Sequence, residues 1–183
     1  IASQQGVLLM VDAAQSFAAD YKGRTVGQMG VATTISFYPT KVLSAYGDAG
    51  AILTKDKALY EKLLSIREHG SELSNKYDLK YIGLNARMDS IQAAVLLEKL
   101  TLFSTEVEQR QRLADWYDHY LPKSIIRPKI MSGCQSVWAL YTVKVPGGRL
   151  RSVIQAKLKE AGIGSAIYYP KLISDQIPYQ HGL

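Results

Sequence analysis

The chain has 183 residues, of which 47% are hydrophobic, so it can bury the core of one domain, or of one domain with a small appendage. This composition excludes disordered and fibrous proteins. Its 22 Lys and Arg and its 16 Asp and Glu give a net charge of +6. The basic residues form no continuous run and are not interleaved with aromatic residues, so we expect no nucleic-acid partner.

Membrane and secretion signals are missing from the sequence as given. No apolar stretch approaches the roughly 20 residues that cross a bilayer, and no charged-then-apolar leader opens the chain, so we expect a soluble protein. The single cysteine, Cys134, cannot pair within the chain, and cytoplasm is therefore the expected compartment. The chain opens at Ile1 without an initiator methionine, which we interpret as the sign of a fragment.

The first part of the chain predicts strands that alternate with helices. Continuous apolar or β-branched runs predict three strands, over residues 6–11, 31–38 and 49–54. Pro39 ends the second of them. The spacing of leucine and isoleucine over 55–68 predicts a helix. This alternation indicates an α/β fold with a mostly parallel sheet.

Ligands of such folds collect at the carboxyl ends of the strands. Asp12, Ser36 and Lys41 lie at or just beyond predicted strand ends. We therefore expect these three residues to share one edge of the sheet.

The second part of the chain begins with a long amphipathic helix, predicted over residues 88–120. Beyond Pro122 the composition changes, and the pattern predicts a small α+β unit. Its elements are a strand at 136–145, a helix at 150–161 and a strand at 165–169. We therefore divide the chain into residues 1–120 and residues 121–183.

Four residues have the chemistry that pyridoxal phosphate (PLP) requires. This cofactor needs a lysine for its aldehyde, a carboxylate that keeps its pyridine nitrogen protonated, a group that binds its phosphate and a side chain near its ring. The candidates are, in that order, Lys41, Asp12, Ser36 and Gln15. An aspartate after a strand and a lysine in a loop also occur together in many α/β proteins without PLP, so spacing alone does not decide.

Five sequence blocks, in order and with matching gaps, resemble the DegT/DnrJ/EryC1/StrS family of PLP-dependent sugar aminotransferases. They are residues 11–17 (VDAAQSF), 36–41 (SFYPTK), 46–52 (YGDAGAI), 67–70 (REHG) and 83–94 (GLNARMDSIQAA). The blocks are spread over most of residues 6–100. Five blocks in the right order are a specific signal, so the resemblance decides in favour of PLP.

The resemblance implies a fold-type I PLP-transferase, which is usually a homodimer. Such an enzyme converts a keto group on a nucleotide-linked hexose to an amine, with glutamate as donor, in amino-sugar or surface-polysaccharide biosynthesis. Residues 1–120 would be the remainder of the PLP-binding large domain with its long connecting helix. Residues 121–183 would be the small C-terminal α+β domain.

Site roles are carried over by position in the matching blocks. Asp12 would pair with the pyridine nitrogen, Gln15 would lie near the cofactor's ring and hydroxyl, and Ser36 would bind the phosphate. Lys41 would be the Schiff-base lysine and the catalytic residue. Asn85 would reach the phosphate held by the neighbouring subunit, which makes the dimer part of the active site. We expect no metal site.

Each of these roles has a structural alternative. Asp12 could cap a helix that starts at Ala13, and Lys41 could be a solvated loop lysine. Gln15 and Ser36 could make local capping or turn hydrogen bonds.

The remaining blocks also contain residues with a simpler explanation. Gly47 and Asp48 suit the turn that leads into the next strand, and His69 suits a structural role at a helix end. Asn85 suits a turn or cap before the long helix. Arg87 could pair with a phosphate or with the facing subunit, and we leave that choice open.

The sequence departs from the family in two places. The segment 168–170 resembles the strand that borders the sugar site, but 172–174 has Leu-Ile-Ser where the family commonly has Pro-Leu-His, so the substrate cannot be carried over. The resemblance also places Ile1 near the middle of the family's longer chains. We therefore expect the 183 residues to be inefficient or inactive by themselves.

Two other functions stay open. Some relatives catalyse other PLP-dependent sugar chemistry, such as dehydration, and others are non-catalytic regulatory or binding proteins. Lys41 argues against the relatives that replace this lysine.

Overall fold

The structure, a computed structural model, describes residues 1–72 and 74–179, and within them the chain forms six short strands and three α-helices. The strands are β1 (Met10–Asp12), β2 (Asp20–Tyr21), β3 (Arg24–Thr25), β4 (Ala32–Ser36), β5 (Gly50–Leu53) and β6 (Cys134–Gln135). The α-helices are α1 (Lys57–Arg67), α2 (Ser90–Tyr120) and α3 (Gly148–Glu160). Single 3-10 turns cover Ser3–Gln5, Val26–Gln28, Ile173–Asp175 and Ile177–Tyr179. This mixture agrees with the predicted α/β class.

The chain divides into two compact units. Unit 1 comprises Ile1–Leu121 and Pro128–Thr142, and unit 2 comprises Pro122–Arg127 and Val143–Leu183. Residues 128–142 thus belong to unit 1, although the change in composition beyond Pro122 predicted that a second domain starts at residue 121. The reason is that β6 pairs with β2. These two segments are far apart in the sequence, and local composition cannot predict their pairing.

The first sheet of unit 1 has the strand order β1–β4–β5. β1 and β4 are parallel, with Asp12 opposite Thr34. β5 runs antiparallel to β4, with Gly50 opposite Ser36, because residues 37–49 turn back as a loop and contain no crossover helix. The described part of this sheet is therefore mixed, whereas the alternation of strands and helices predicted a mostly parallel one.

The predicted first strand is shorter in the structure than in the sequence pattern. Pairing with β4 begins at Met10, and the preceding residues 7–9 are exposed. An extended apolar segment becomes a strand only where a neighbouring ladder accepts its backbone hydrogen bonds. Here the Leu9 carbonyl accepts the Val31 N–H at 2.8 Å, whereas the Val7 N–H donates to the Ala2 carbonyl at 3.0 Å, outside any strand ladder.

Two predicted strands of the second part of the chain do not form. Residues 136–145 contain a single bridge, from Lys144 to Ile126, and residues 165–169 contain no strand. The regular pairing lies just before the first of these segments, in β6, which joins the ribbon β3–β2–β6. The predicted helix over 150–161 is confirmed as α3, within two residues at each end.

The helices of unit 1 begin at aspartate caps. The Asp56 carboxylate accepts the Leu59 N–H at 3.0 Å at the start of α1, and the Asp89 carboxylate accepts the Ile91 N–H at 2.9 Å at the start of α2. Both caps satisfy N–H groups that have no partner within the helix. α2 has 31 residues and therefore extends over about 46 Å. None of the helices in the described part of the chain combines the length and apolar character that a bilayer crossing requires.

The core of unit 1 lies between the sheet and α2. Leu96 and Phe103 of α2 are buried in the same cluster as Val42, Leu43 and Ala45, which follow directly after the candidate lysine. Leu43 is only 2% exposed. The chain that directly follows position 41 is thus anchored in the core.

We predict that truncating Leu96 destabilises the protein much more than truncating Leu97. Leu96 is 6% exposed and its neighbour Leu97 is 68% exposed, so Leu96→Ala leaves a cavity and should cost about 3 kcal/mol. Leu97→Ala, the matched control on the same helix, should cost less than about 1 kcal/mol. Urea unfolding measures both values, and equal losses would contradict the assignment of Leu96 to the core face.

Candidate functional site

Two strand ends place Asp12 and Ser36 on one face of the sheet. Asp12 lies opposite Thr34 in the parallel ladder, so their side chains point to the same side. Ser36 is two residues beyond Thr34 and returns to that side, because side chains alternate along a strand. From strand spacing and rise, the Cα atoms of Asp12 and Ser36 are about 8 Å apart. The neighbours Thr33 and Ile35 are buried on the opposite, core-facing side.

Asp12 does not cap a helix. The residues after it form turns, and the Asp12 Oδ1 accepts the N–H of Ala14 at 2.9 Å, an Asx turn. The interpretation of Asp12 as a helix cap is therefore wrong. The side chain is exposed, and within the described residues its second carboxylate oxygen has no hydrogen-bond donor. A ligand N–H can approach this oxygen.

Gln15 occupies the turn that leaves β1. The Ser16 N–H donates to the Ala13 carbonyl at 3.0 Å, and the Ala13 N–H donates to the Thr34 carbonyl at 2.8 Å. The turn is therefore tied to β4 at the end of the ladder that carries Asp12. The Gln15 side chain is exposed, and in the described part of the chain its amide makes no hydrogen bond.

The sequence after Ser36 forms a proline-fixed turn. The Lys41 N–H donates to the Tyr38 carbonyl at 2.8 Å, which is the closing bond of a β-turn with Pro39 at its second position, where proline is favoured. The Tyr38 N–H donates to Ser36 Oγ at 3.3 Å. Ser36 is the acceptor in that bond, so its hydroxyl proton stays available to a ligand.

Lys41 is half-buried at the end of this turn. No carboxylate of the described residues lies within ion-pair distance of its amine. The residues on either side differ sharply, because residues 38–40 are exposed whereas residues 42–45 are buried. The backbone of Lys41 is thus held at the boundary between core and surface, in the turn that follows β4.

Asn85 lies on a separate loop of unit 1. It forms an antiparallel bridge with Glu68 just after α1, and its side chain is exposed. Within the described residues it shares no hydrogen bond with Asp12, Gln15, Ser36 or Lys41. The register places Asp12 and Ser36 on one face of the sheet, Gln15 and Lys41 lie in the turns that follow these two strand ends, and Asn85 belongs to a different loop.

Arg87 finds its partner within the same loop. Its Nη1 lies 2.8 Å from the Glu68 carboxylate, and Arg67 approaches the same carboxylate at 3.5 Å. All these side chains are partly exposed, so the pairs orient the loop more than they stabilise the fold. The open choice for Arg87 gains a third option, which is an ion pair inside its own chain.

The loop that carries Asn85 is clamped to the end of α1 by backbone contacts. The Leu84 N–H donates to the Ile66 carbonyl at 2.8 Å, and the His69 N–H donates to the Leu84 carbonyl at 2.9 Å. His69 and Gly70 both have positive φ, 66° and 82°, so His69 serves the turn that ends the helix. The approach is so close that a Cβ added to Gly83 would overlap the backbone nitrogen of Gly70.

Sequence reasoning missed Thr34, Gln92 and Lys99. Thr34 shares the open face with Asp12 and Ser36, a relation that only the strand register reveals. Gln92 Oε1 accepts the Tyr46 N–H at 2.8 Å, and Lys99 Nζ donates to Ser44 Oγ at 2.7 Å. For Gln92 and Lys99, the sequence did contain a signal, since both are polar residues on the apolar face of the long predicted helix, seven positions apart.

Comparisons with known proteins all indicate the same family. The sequence model of the DegT/DnrJ/EryC1/StrS aminotransferase family matches residues 1–182. A pleiotropic regulatory protein of Geobacillus stearothermophilus is 41% identical over 174 residues, which are 93% of this chain and 45% of that protein. A UDP-2-acetamido-2-deoxy-3-oxo-D-glucuronate aminotransferase of Pseudomonas aeruginosa is 40% identical over 177 residues, 96% of this chain and 48% of that protein.

A solved structure has the same fold. The crystal structure of a DegT DnrJ EryC1 StrS aminotransferase from Brucella abortus superimposes with a TM-score of 0.92 at 39% identity, over 99% of this chain and 48% of that chain. The predicted fold class is confirmed by this match. The chain spans about half the length of the curated relatives it matches.

We predict that Gly83→Ala destabilises the protein because the added Cβ forces the backbone at Gly70 to move. The expected loss in the free energy of unfolding is about 1–3 kcal/mol. Gly164→Ala is the control, since that position has open space and no positive φ, and it should change stability by about 0.5 kcal/mol or less. Denaturant titration compares the two variants. Equal stabilities would contradict the close approach of the backbone at Gly83 to that at Gly70.

Proposed function

Because this chain belongs to the DegT/DnrJ/EryC1/StrS aminotransferase family, we propose that the protein containing it transfers an amino group to a nucleotide-linked keto-sugar with PLP as cofactor. One observation carries the proposal. The parallel register of β1 and β4 puts the Asp12 carboxylate and the Ser36 hydroxyl on one open face, and Lys41 follows on the turn that leaves that face.

The donor set of this face fits PLP. The cofactor presents a ring N–H, a phosphate dianion and an aldehyde. The open carboxylate oxygen of Asp12 suits the ring N–H, the available hydroxyl proton of Ser36 suits the phosphate, and the amine of Lys41 suits the aldehyde. Lys41 has no carboxylate partner in the described residues that would hold it away. Gln15, on the same edge, adds an amide that can bind the ring's substituents.

Each residue has a separate task in the reaction. When bound, PLP supplies an electron sink for the negative charge that forms at the substrate carbon. Asp12 keeps the proton on the ring nitrogen by accepting its hydrogen bond. Ser36 and Gln15 orient the ring. Lys41 Nζ removes a proton from the carbon that bears the amine and delivers a proton in the reverse half-reaction, as a general base and acid.

The substrate class and donor are part of the same proposal. The name of the Pseudomonas aeruginosa relative describes amino transfer to a UDP-linked 3-oxo sugar acid, which supports a nucleotide-linked keto-sugar as the acceptor. We propose glutamate as the donor and amino-sugar or surface-polysaccharide biosynthesis as the setting. Asn85, exposed and separate from the other four residues, suits a contact to the cofactor phosphate of a second copy in a homodimer.

A regulatory role is the second candidate. The Geobacillus stearothermophilus relative, 41% identical, is a pleiotropic regulatory protein by name. The presence of Lys41, Asp12 and Ser36 together favours catalysis. A complete protein that folds and binds no PLP would favour regulation instead, and one that binds PLP but does not respond to glutamate would favour other sugar chemistry.

We predict that PLP becomes attached to Lys41. The complete protein is mixed with PLP, reduced with borohydride, digested and mapped by mass spectrometry. Lys41→Arg should abolish the visible absorption of the bound cofactor and lower kcat by at least about 1,000-fold. Lys55→Arg, a change at an exposed loop lysine, is the control and should behave as wild type. Attachment at another lysine would overturn the assignment.

The donor and acceptor are tested with the same absorption band. Glutamate should bleach the band of the wild-type protein, and a nucleotide-linked keto-sugar should restore it. An unchanged band after addition of glutamate would contradict glutamate as the donor.

We predict that Asp12→Asn lowers kcat by about 100-fold or more, because a neutral amide no longer keeps the ring nitrogen protonated. Asp20→Asn is the matched control, since the Asp20 carboxylate also accepts a local backbone N–H, from Gly23 at 2.7 Å. Steady-state kinetics of both variants, with PLP content measured alongside, decide the matter. Equal kcat values would remove Asp12 from the site.

A further inference from the structure

Two polar residues lie on the core-facing side of α2. Gln92, Leu96, Lys99 and Phe103 follow the spacing of one helix face, and Leu96 and Phe103 are buried in the core of unit 1. Gln92 and Lys99 are half-buried. Polar groups on such a face lose hydration and need partners. Both find them in the same segment of chain, the Lys41 loop, which we define as residues 37–49.

Gln92 holds the loop by its backbone. Its Oε1 accepts the N–H of Tyr46 at 2.8 Å, and its Nε2 lies beside Gly47, 3.2 Å from where a Cβ would be. A side chain at position 47 would press on the amide that makes this bond. The contact therefore explains the glycine and fixes the loop five residues after Lys41.

Lys99 holds the loop by a side chain. Its Nζ donates to the Oγ of Ser44 at 2.7 Å, and the same ammonium lies 5.9 Å from the centre of the Tyr46 ring. No carboxylate of the described residues pairs with it. A half-buried cation whose partners are a neutral hydroxyl and an aromatic face contributes little as an ion pair, but it locates Ser44, three residues after Lys41.

Phe37 holds the loop from the opposite side. Its carbonyl accepts the N–H of Ala45 at 2.7 Å, and its own N–H donates to the Ala49 carbonyl at 2.8 Å. The loop is therefore closed at its base by backbone bonds and pinned at two points by α2. Lys41 is the reactive residue within this closed loop.

We propose that Gln92 and Lys99 are positioning residues, which act through the Lys41 loop to set where the Lys41 amine stands relative to the face that bears Asp12 and Ser36. This inference rests on the proposed function. Proton transfer by an amine requires near-ideal placement, and a displacement of about 1 Å can cost about 100-fold in rate. Loss of one anchor leaves the sheet and its donor groups intact and loosens only the loop.

The experiment uses the complete protein and four variants. Gln92→Leu and Lys99→Met remove the two anchors at nearly constant size. Gln92→Glu keeps an oxygen that accepts the Tyr46 N–H, and Lys99→Arg keeps a donor for Ser44. Gln109→Leu, at an exposed glutamine of the same helix, is the control.

Amide hydrogen exchange is the first measurement. Gln92→Leu and Lys99→Met should accelerate exchange at least about 10-fold in the peptide covering residues 42–47, through loss of local protection. Peptides from the interior of α2 and from β4 should keep wild-type rates. Gln92→Glu should restore protection, and Gln109→Leu should not disturb it.

Kinetics are the second measurement. We expect Gln92→Leu and Lys99→Met to lower kcat by about 10- to 100-fold, with KM for both substrates within about twofold of wild type. The rate at which PLP becomes attached to Lys41 should fall in parallel. Gln92→Glu and Lys99→Arg should recover most of kcat, which a general loss of stability would not predict.

The outcomes separate this inference from the proposed function. Unchanged exchange of residues 42–47 in both Gln92→Leu and Lys99→Met would overturn it, and so would exchange that rises equally throughout unit 1. Absence of PLP from Lys41 in the wild-type protein would instead overturn the proposed function. Normal labelling of the wild type, with unchanged kcat in both variants, would remove the positioning role alone.

Discussion

The parallel pairing of β1 with β4 is the constraint on which the rest of the candidate site depends. With Asp12 opposite Thr34, the carboxylate and the Ser36 hydroxyl share the open face, while Thr33 and Ile35 are buried on the opposite face and Ile35 joins the hydrophobic core. A slip of one residue would turn Asp12 toward the core. Burial of Ile35 stabilises this register. It therefore also fixes the direction of the Asp12 side chain, although Ile35 need not contact Asp12.

Lys41 depends on a different set of forces. It is not in the sheet, and a loop of this length would ordinarily be mobile at its tip. Here the residues after Lys41 are buried in the same cluster as residues of α2. In the turn before Lys41, Pro39 restricts the backbone because its ring fixes φ. The Lys41 side chain is thus held at a core boundary, which combines an anchored backbone with an amine that is only half-buried.

Much of this arrangement could be predicted from the sequence because it is local. The turn at Pro39, the helix α1, the long helix α2 and the strand ends at Asp12 and Ser36 follow from residue patterns within a few positions. What failed was non-local. Apolar patterns do not show which distant segments pair with each other. They therefore did not reveal that residues 7–9 lack a neighbouring strand in the described part of the chain, that β5 runs antiparallel to β4, or that β6 pairs with β2. The contacts of Gln92 and Lys99 could not be predicted for the same reason, since their partners lie 46 and 55 residues away in the sequence.

The sheet and the loop are mechanically linked through one aromatic cluster. The Phe37 ring lies edge-on to Phe17 at 5.8 Å, and Phe17 lies edge-on to Phe103 at 5.3 Å. Phe17 follows the turn that carries Gln15, Phe37 begins the Lys41 loop, and Phe103 belongs to the helix that carries both anchors. Such ring pairs add about 0.5–1.5 kcal/mol each beyond their buried area, and they lock three elements to each other. Each of the three elements carries a candidate functional side chain. The cluster therefore makes the relative positions of these side chains a property of the core, without using the polar groups that are proposed to bind a ligand.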